Sequence, residues 1–310
     1  MISFLQAIVI GAIQGVTELF PVSSLGHTVI VPAFIGGSWS RLVTEQASPE
    51  SPYLAFVVGL HVATALALIT VFWRDWARIV RGLFSSLVKR RAETPEERAA
   101  WFIIVATIPV GLLGLLLEHE LRTLFAKPLA AASFLMVNGC ILLGGEWFRR
   151  RAAAQAKDAA PPEAAASLAA AGADVGADPR DDIEPLATLR LRDALVIGFA
   201  QSSALLAGIS RDGVCMVAGL ARRLSYEDAA RFAFLLSAPP ILAAGLLKVP
   251  DLTGTLGNGI RGQVLAGSAV AFVVALASIK VLLRYFRRRT LAPFAVYCLA
   301  LGAAGVFYFA

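Results

Sequence analysis

The sequence predicts an all-α polytopic membrane protein, with six transmembrane helices and two re-entrant helical hairpins in an inverted-topology repeat. Three observations predict this fold. Only 16% of the 310 residues are charged and the mean hydropathy is +0.70, whereas soluble domains carry about 25% charged residues. The apolar residues form long runs with few or no charges, as membrane spans do. Two further apolar segments, each broken by polar and turn-forming residues, resemble each other.

Six of the apolar runs are predicted to cross the bilayer as helices. The spans are 53–73, 101–117, 129–147, 232–247, 262–283 and 291–310. Lys and Arg concentrate in the connections 74–100, 149–151 and 284–289, which the positive-inside rule assigns to the cytoplasm. Connections with few basic residues are placed outside, and they are 34–52, 118–128 and 248–261. The net charge of +6 is therefore interpreted as loop bias and not as a nucleic-acid-binding surface.

The segments 1–40 and 194–221 complete the apolar part of the chain. The first is interrupted by Glu18 and the second by Arg211 and Asp212. The alternation of the six spans requires each segment to begin and end on one side of the membrane, which predicts re-entrant hairpins. Irregular backbone at membrane depth is tolerated only where it is buried in protein or lines a wet cavity.

The two hairpins are similar in sequence. Residues 9–28 and 196–215 are identical at seven of twenty aligned positions, including the pairs Gln14/Gln201 and Ser23/Ser210. Similar segments that enter from opposite sides indicate an inverted-topology repeat, with a site near the midplane. The predicted repeats are 1–151 and 186–310. They are joined by 152–185, an Ala-, Asp- and Pro-rich segment predicted to be a flexible cytoplasmic linker.

Glu18 is a candidate functional residue because ionisable groups inside a membrane segment are costly. Gln14 lies four residues earlier, on the same helix face. The pair could hold a metal ion, orient a water molecule or receive a hydroxyl proton. Alternatively, it could form a structural hydrogen bond between helices.

Ser23, Ser24 and His27 follow Pro21 at the break in the first hairpin. A hydroxyl with an imidazole three residues later is the minimum for nucleophilic catalysis, with His27 as the base of Ser24. The alternative is that the serines satisfy backbone groups that the break sets free.

Arg211 is the strongest single candidate. Its guanidinium has the fork geometry that suits phosphate oxygens, and Gly208 and Gly213 allow close backbone approach to an anion. The alternative is a salt bridge to Asp212 or Glu18. Together with the first hairpin, Arg211 indicates a site for an anionic substrate carried on a lipid, most simply a phosphate ester or anhydride.

The remaining polar groups are not assigned to the site. His61, in the middle of a span, is interpreted as a satisfied interior group. The cysteines lack metal-ligand spacing and are interpreted as small buried apolar residues; they are Cys140, Cys215 and Cys298. The basic stretches 74–91 and 284–289 are predicted to meet anionic lipid headgroups.

Residues 14–27 read QGVTELFPVSSLGH and residues 207–215 read AGISRDGVC. The chain resembles the BacA-type undecaprenyl-pyrophosphate phosphatases of bacteria over nearly its whole length apart from the linker. The chain matches their first motif throughout. That motif is Glu or Gln, three residues, Glu, then Pro-Val-Ser-Ser and Gly-His. Their second motif, Pro-Gly-x-Ser-Arg-Ser-Gly-x-Thr, is matched at Gly208, Ser210, Arg211 and Gly213. Departures from it are Ala207, Asp212 and Cys215, in place of Pro, Ser and Thr.

The resemblance implies hydrolysis of undecaprenyl pyrophosphate to undecaprenyl phosphate and inorganic phosphate. This reaction recycles the lipid carrier for peptidoglycan synthesis and confers bacitracin resistance. In this scheme Ser24 is the nucleophile, His27 is its base and then acid, and Glu18 orients His27 or holds a metal ion. Arg211 clamps the pyrophosphate, and the other substrate-binding residues are Gln14, Ser23, Ser210, Gly208 and Gly213. In a variant, Glu18 or His27 activates water directly and Ser24 only binds phosphate.

The resemblance also implies a divalent cation, Mg²⁺ or Ca²⁺, and a place in the bacterial inner membrane. The topology turns the site toward the outer side. A carboxylate at Asp212 is expected to repel a phosphate or neutralise Arg211. The oligomeric state is left open, with a homodimer as one option. The alternative function is a polyprenyl-phosphate flippase with weak or no hydrolysis, because inverted repeats are also transporter architecture. The retained Ser24, His27 and Glu18 favour the enzyme.

Overall fold

The computed structural model describes residues 2–45, 51–117, 120, 127–158, 190–222, 224–254 and 257–310. In these ranges the regular structure is helical. The helices are α1 (Phe4–Thr17), α2 (Ser24–Ile35), α3 (Ser38–Glu45), α4 (Pro52–Val71), α5 (Trp73–Lys89), α6 (Pro95–Leu116), α7 (Pro128–Asp158), α8 (Leu191–Ser202), α9 (Arg211–Ala221), α10 (Tyr226–Thr253), α11 (Arg261–Phe286) and α12 (Ala292–Phe309). A single 3₁₀ turn, Ser203–Leu205, follows α8.

Six of the described helices are long and apolar enough to cross a membrane. They are Pro52–Val71, Pro95–Leu116, Pro128–Ala152, Tyr226–Leu247, Arg261–Phe286 and Ala292–Phe309. Each contains or closely overlaps one of the six predicted spans, so the all-α polytopic prediction is confirmed. The protein is a multi-pass membrane protein.

Capping residues explain where several helices begin. Ser3 and Thr94 precede α1 and α6 and form capping boxes with the residues three positions on, and the Ser51 hydroxyl caps α4. Pro52 and Pro95 each stand at the first helical position, where the missing N–H has no helical partner to lose.

Both predicted hairpins are broken where the sequence indicated. The first helix of each segment ends before a short irregular stretch, and α2 and α9 then begin at the aligned positions Ser24 and Arg211. The residues before them, Ser23 and Ser210, are also aligned, and each caps its helix through its hydroxyl. The re-entrant path and the opposite insertion of the two segments stay predictions.

Helices of the two halves pack as interlocked pairs. The first spans of each half, α4 and α10, contact each other, and so do the third spans, α7 and α12. The helix before each break crosses to the other half, since α1 packs on α11 and α8 packs on α6. This pairing is what two interlocked repeats would give.

The region 74–89, predicted as part of a cytoplasmic loop, forms helix α5 instead. One of its faces is buried against α6, an adjacent face exposes large apolar side chains such as Phe84 and Val88, and a third carries exposed Arg74, Arg81 and Lys89. The basic residues were interpreted as a loop signal, but their helical spacing places them on one face of an amphipathic helix.

The predicted linker is described only at its start. Helix α7 continues to Asp158, so residues 152–158 are helical rather than irregular. The remainder of the 152–185 segment lies outside the described residues.

Candidate active site

The candidate site lies where the two broken segments meet, at the beginnings of α2 and α9. Ser23 has a φ of 70°, which is uncommon for a residue other than Gly. Its hydroxyl oxygen accepts hydrogen bonds from the N–H of Gly26, at 3.2 Å, and from the N–H of Gly208 in the other segment, at 3.1 Å. One serine side chain therefore caps a helix and ties the two segments together.

Asn138, a fully buried amide on α7, forms a second tie. Its Nδ2 donates to the carbonyl of Pro21 at 2.9 Å, and its Oδ1 accepts from the N–H of Ser210 at 3.0 Å. These backbone groups lie at the two breaks, where helical partners are missing. Sequence reasoning missed Asn138, although a buried amide in an otherwise apolar span is itself a signal of a structural or functional role.

We expect Gly208→Ala to prevent the two segments from meeting. Gly208 has a φ of 115°, which L-residues rarely adopt, and an added β-carbon would overlap the carbonyl oxygen of Ala131. The variant should lose more than about 2 kcal/mol of stability, seen as a lower midpoint of thermal unfolding in detergent.

Gly36→Ala is the matched control for that measurement. Gly36 also has a positive φ, 75°, but nothing lies within 4 Å of an added β-carbon. Its substitution should cost only the backbone strain, about 1 kcal/mol. Equal shifts for the two variants would contradict a close approach of the segments at Gly208.

Glu18 is the centre of the site and is 7% exposed. Its Oε2 accepts hydrogen bonds from the Ser24 hydroxyl at 2.5 Å and from Gln14 Nε2 at 2.8 Å. Its Oε1 accepts from Arg211 Nη2 at 2.9 Å. The structure thus brings Gln14, Glu18, Ser24 and Arg211 together, and it contains the Arg211–Glu18 ion pair considered as an alternative role for the arginine.

His61, on α4, faces Ser24. Its Nε2 lies 3.3 Å from Glu18 Oε2 and 3.5 Å from Ser24 Oγ. Its Nδ1 lies 2.8 Å from the carbonyl oxygen of Val57, which can only accept, so Nδ1 carries a hydrogen. Both ring nitrogens have partners, as expected of a satisfied interior group, but the partners of Nε2 are Glu18 and Ser24 of the candidate site. An ionisable side chain in mid-span was the available signal.

His27 points away from Ser24. Its Nδ1–H donates to the carbonyl of Ser23 at 2.7 Å, and its Nε2 accepts from the hydroxyl of Tyr297 on α12 at 2.8 Å. Because both ring nitrogens are engaged, the predicted pairing of His27 with Ser24 is not present. The side chain of His27 instead fixes the beginning of α2 to α12, and Tyr297 is a further residue that sequence reasoning missed.

Asp212 does not pair with Arg211. It is buried and accepts a hydrogen bond from the hydroxyl of Ser237 on α10, whereas the guanidinium of Arg211 is bound to Glu18. The expected neutralisation of Arg211 by Asp212 through direct contact is therefore not seen. In the first turn of α9, a carboxylate is also placed favourably for the helix dipole.

Two of the three cysteines fit the prediction of buried apolar residues. Cys215 and Cys298 are buried, and Cys140 is exposed on α7, so it departs from that prediction. Cys298 Sγ accepts a hydrogen bond from Asn138 Nδ2 at 3.3 Å. Cys298 therefore contacts the amide side chain that connects the two helix breaks.

The arrangement suits phosphoryl transfer. Ser24 and Arg211 are the first residues of α2 and α9, so two helix N-termini with partial positive charge lie at the site. The Ser24 hydroxyl already donates to a carboxylate that can take its proton. The Arg211 side chain is 18% exposed, so the guanidinium is within reach of an anionic substrate.

This fold and site define a multi-pass membrane protein with a buried polar centre where two broken helical segments meet. Residues 7–304 match the family model described as bacitracin resistance protein BacA. The chain belongs to this family.

Named relatives cover almost the full length of the chain. It is 54% identical to undecaprenyl-diphosphatase 2 of Frankia alni, over 97% of this chain and 96% of the relative. It is 55% identical to the undecaprenyl-diphosphatase of Mycolicibacterium paratuberculosis, over 100% and 98%. It is 39% identical to undecaprenyl-diphosphatase 2 of Chromobacterium violaceum, over 98% of each chain.

Proposed function

We propose that this protein hydrolyses undecaprenyl diphosphate to undecaprenyl phosphate and inorganic phosphate. It thereby recycles the lipid carrier of cell-wall synthesis and confers bacitracin resistance. The family and the names of the relatives support this activity. The structural observation that carries it is the 2.5 Å hydrogen bond from the Ser24 hydroxyl to Glu18, with Arg211 bound to the other oxygen of the same carboxylate.

In the first step, Ser24 Oγ attacks the terminal phosphorus of the diphosphate. The Oγ–P bond forms, the bond from phosphorus to the bridging oxygen breaks, and undecaprenyl phosphate leaves. The hydroxyl proton passes to Glu18 Oε2, which already accepts it. Arg211 stabilises the charge on the transferred phosphoryl group. In the second step, water cleaves the phosphoserine and releases inorganic phosphate.

A divalent cation, Mg²⁺ or Ca²⁺, is part of this proposal. Gln14 Oε1 is buried with no hydrogen-bond partner among the described residues, and its side chain contacts Glu18. Amide and carboxylate oxygens are the ligands these cations prefer. The described residues contain no cluster of three or more His, Cys, Asp or Glu placed for a metal ion. Gln14 and Glu18 would therefore hold the cation together with substrate phosphate oxygens, and it would neutralise phosphate charge.

The test of the activity is phosphate release from undecaprenyl diphosphate by the purified protein in detergent. We expect release with Mg²⁺ or Ca²⁺ and its loss with EDTA. Phosphate release that is unaffected by EDTA would contradict the proposed requirement for a cation. Well-folded protein that binds the lipid but releases no phosphate would contradict the proposed enzymatic activity. The comparisons give no support to the flippase alternative.

We place the protein in the bacterial inner membrane with the site toward the outer side. The bacterial origin of the relatives supports the inner membrane. The orientation is supported by the clusters of Lys and Arg in α5, at residues 149–151 near the end of α7 and at residues 284–289 around the end of α11. Cysteine labelling of intact cells at residue 37, next to the end of α2, would test it. We expect a cysteine at this position to react with a membrane-impermeant reagent added outside the cells.

Anionic phospholipids are proposed partners of α5. A groove of about 540 Å³ runs between α5 and α6, and its lining is apolar. Side chains that line it include Trp76, Ile79 and Leu83 of α5 and Ile103 and Thr107 of α6. The groove suits an acyl chain, and the exposed basic face of α5 suits the phosphate of an anionic headgroup.

Gly111→Phe is expected to reduce binding of phosphatidylglycerol by about tenfold. Gly111 lines the groove, and nothing lies within 4 Å of an added β-carbon, so we expect a Phe ring to occupy space that the acyl chain would otherwise fill. Native mass spectrometry with added phosphatidylglycerol measures the binding and also reports whether the protein is the homodimer considered above.

Gly144→Phe is the matched control, because Gly144 has equally open surroundings on α7, away from the groove. It should leave lipid binding unchanged. Equal effects of the two variants, or equal binding of phosphatidylcholine and phosphatidylglycerol, would contradict a specific site for an anionic lipid.

A further inference from the structure

We propose that His61 is a catalytic base of this site, and this inference rests on the proposed phosphatase function. Three atoms form a compact group: Ser24 Oγ, Glu18 Oε2 and His61 Nε2. Ser24 Oγ lies 2.5 Å from Glu18 Oε2, and His61 Nε2 lies 3.3 Å from Glu18 Oε2 and 3.5 Å from Ser24 Oγ. Of the two histidines that the structure describes, His61 lies in this group and His27 faces Tyr297.

The hydrogen bonds determine what His61 Nε2 can do. Nδ1 holds a hydrogen because it faces the Val57 carbonyl. The Ser24 hydroxyl has one hydrogen, and the 2.5 Å distance assigns it to Glu18. Nε2 is therefore the ring nitrogen that faces the reacting atoms, 3.5 Å from the Ser24 oxygen that would carry the phosphoryl group.

His61 acts in the second step of the reaction. Its Nε2 takes a proton from the water that attacks the phosphoserine, the bond from the water oxygen to phosphorus forms as the Oγ–P bond breaks, and Ser24 Oγ recovers its proton from Glu18. The proton taken up by His61 leaves with the released phosphate, so the site returns to its starting state.

The surroundings of His61 also suit a reactive role. Its side chain is 16% exposed, whereas His27 is 2% exposed. His61 is held by its own helix through Val57, so its ring orientation does not depend on the substrate. A purely structural histidine would not need one nitrogen directed at both the candidate nucleophile and its proton acceptor.

The test follows the phosphoenzyme rather than the overall rate alone. His61→Gln should reduce the steady-state rate by about 10²-fold, and it should slow the second step most. We expect undecaprenyl phosphate to be released in a first-turnover burst without matching inorganic phosphate, and phosphoserine at position 24 to be found by peptide mass spectrometry. His61→Ala should regain activity with added imidazole, because the side chain it removes is partly exposed.

His27→Gln is the matched control. We expect it to lower the thermal stability without a phosphoenzyme and without rescue by imidazole. Wild-type rates in His61→Gln would overturn the role of His61 and leave the phosphatase standing. A slow His61→Gln variant with neither phosphoenzyme nor imidazole rescue of His61→Ala would also overturn it. Absence of phosphate release by the wild-type protein would instead count against the proposed function itself.

Discussion

Ser24→Ala is expected to reduce kcat for phosphate release from undecaprenyl diphosphate by on the order of 10⁴-fold. Ser24 Oγ is the nucleophile in the proposed reaction, and its proton acceptor, Glu18, is already in place. The fold should tolerate the change because the helix cap is supplied by Ser23 and not by Ser24. Steady-state kinetics in detergent, with a thermal unfolding curve for each variant, make the measurement.

Ser203→Ala serves as the control for Ser24→Ala. Ser203 lies at the other break, and its hydroxyl donates to the carbonyl of Ala200 in its own segment. We expect near-normal kinetics for it. If Ser24→Ala keeps the wild-type kcat and has only a higher KM, the role of Ser24 as the nucleophile is contradicted. That result would favour the alternative in which water is activated directly and Ser24 binds phosphate.

Arg211→Gln is expected to reduce kcat by about 10³-fold, in the range seen when a phosphoryl-stabilising arginine is removed. The variant loses the positive charge next to the nucleophile, and it also leaves Glu18 Oε1 without its guanidinium partner. Arg211→Lys should recover only part of the rate, because an ammonium keeps the charge but lacks the planar fork.

Arg222→Gln is a useful comparison for Arg211→Gln. Arg222 lies at the other end of α9 and forms its own ion pair with Asp193, at 2.7 Å. Its loss should leave kcat and KM close to the wild-type values. If the two variants lose activity to the same extent, the effect of Arg211 is one of helix stability and not of catalysis.

The six spans and the two breaks could be predicted because they depend on local composition. Apolar runs fix the spans, and Pro21 and Gly208 mark places where a helix must stop. Helix α5 was missed because Lys and Arg were interpreted only as a loop signal. The helix forms because its apolar positions are spaced to make one face, and that face is buried against α6. The contact with α6 cannot be predicted from the local sequence.

The candidate site could be predicted in part. Gln14 and Glu18 are four residues apart on one helix, so their contact follows from helix geometry. The choice between His27 and His61 could not be made in this way. His27 is near Ser24 in sequence, but the unusual backbone of Ser23 turns a carbonyl toward its ring. His61 comes from α4, and only tertiary packing brings it to Glu18.

The Arg211–Glu18 pair has a consequence for biosynthesis. The nucleophile, its proton acceptor and His61 are all made in the first 61 residues, whereas the guanidinium is added 150 residues later. A nascent or truncated chain that stops before α9 therefore carries only part of the reaction centre, and we expect it to attack phosphate far more slowly than the complete protein. Coexpression of two fragments divided between α7 and α8 would make enzymatic turnover a reporter of assembly, since neither fragment holds the complete centre.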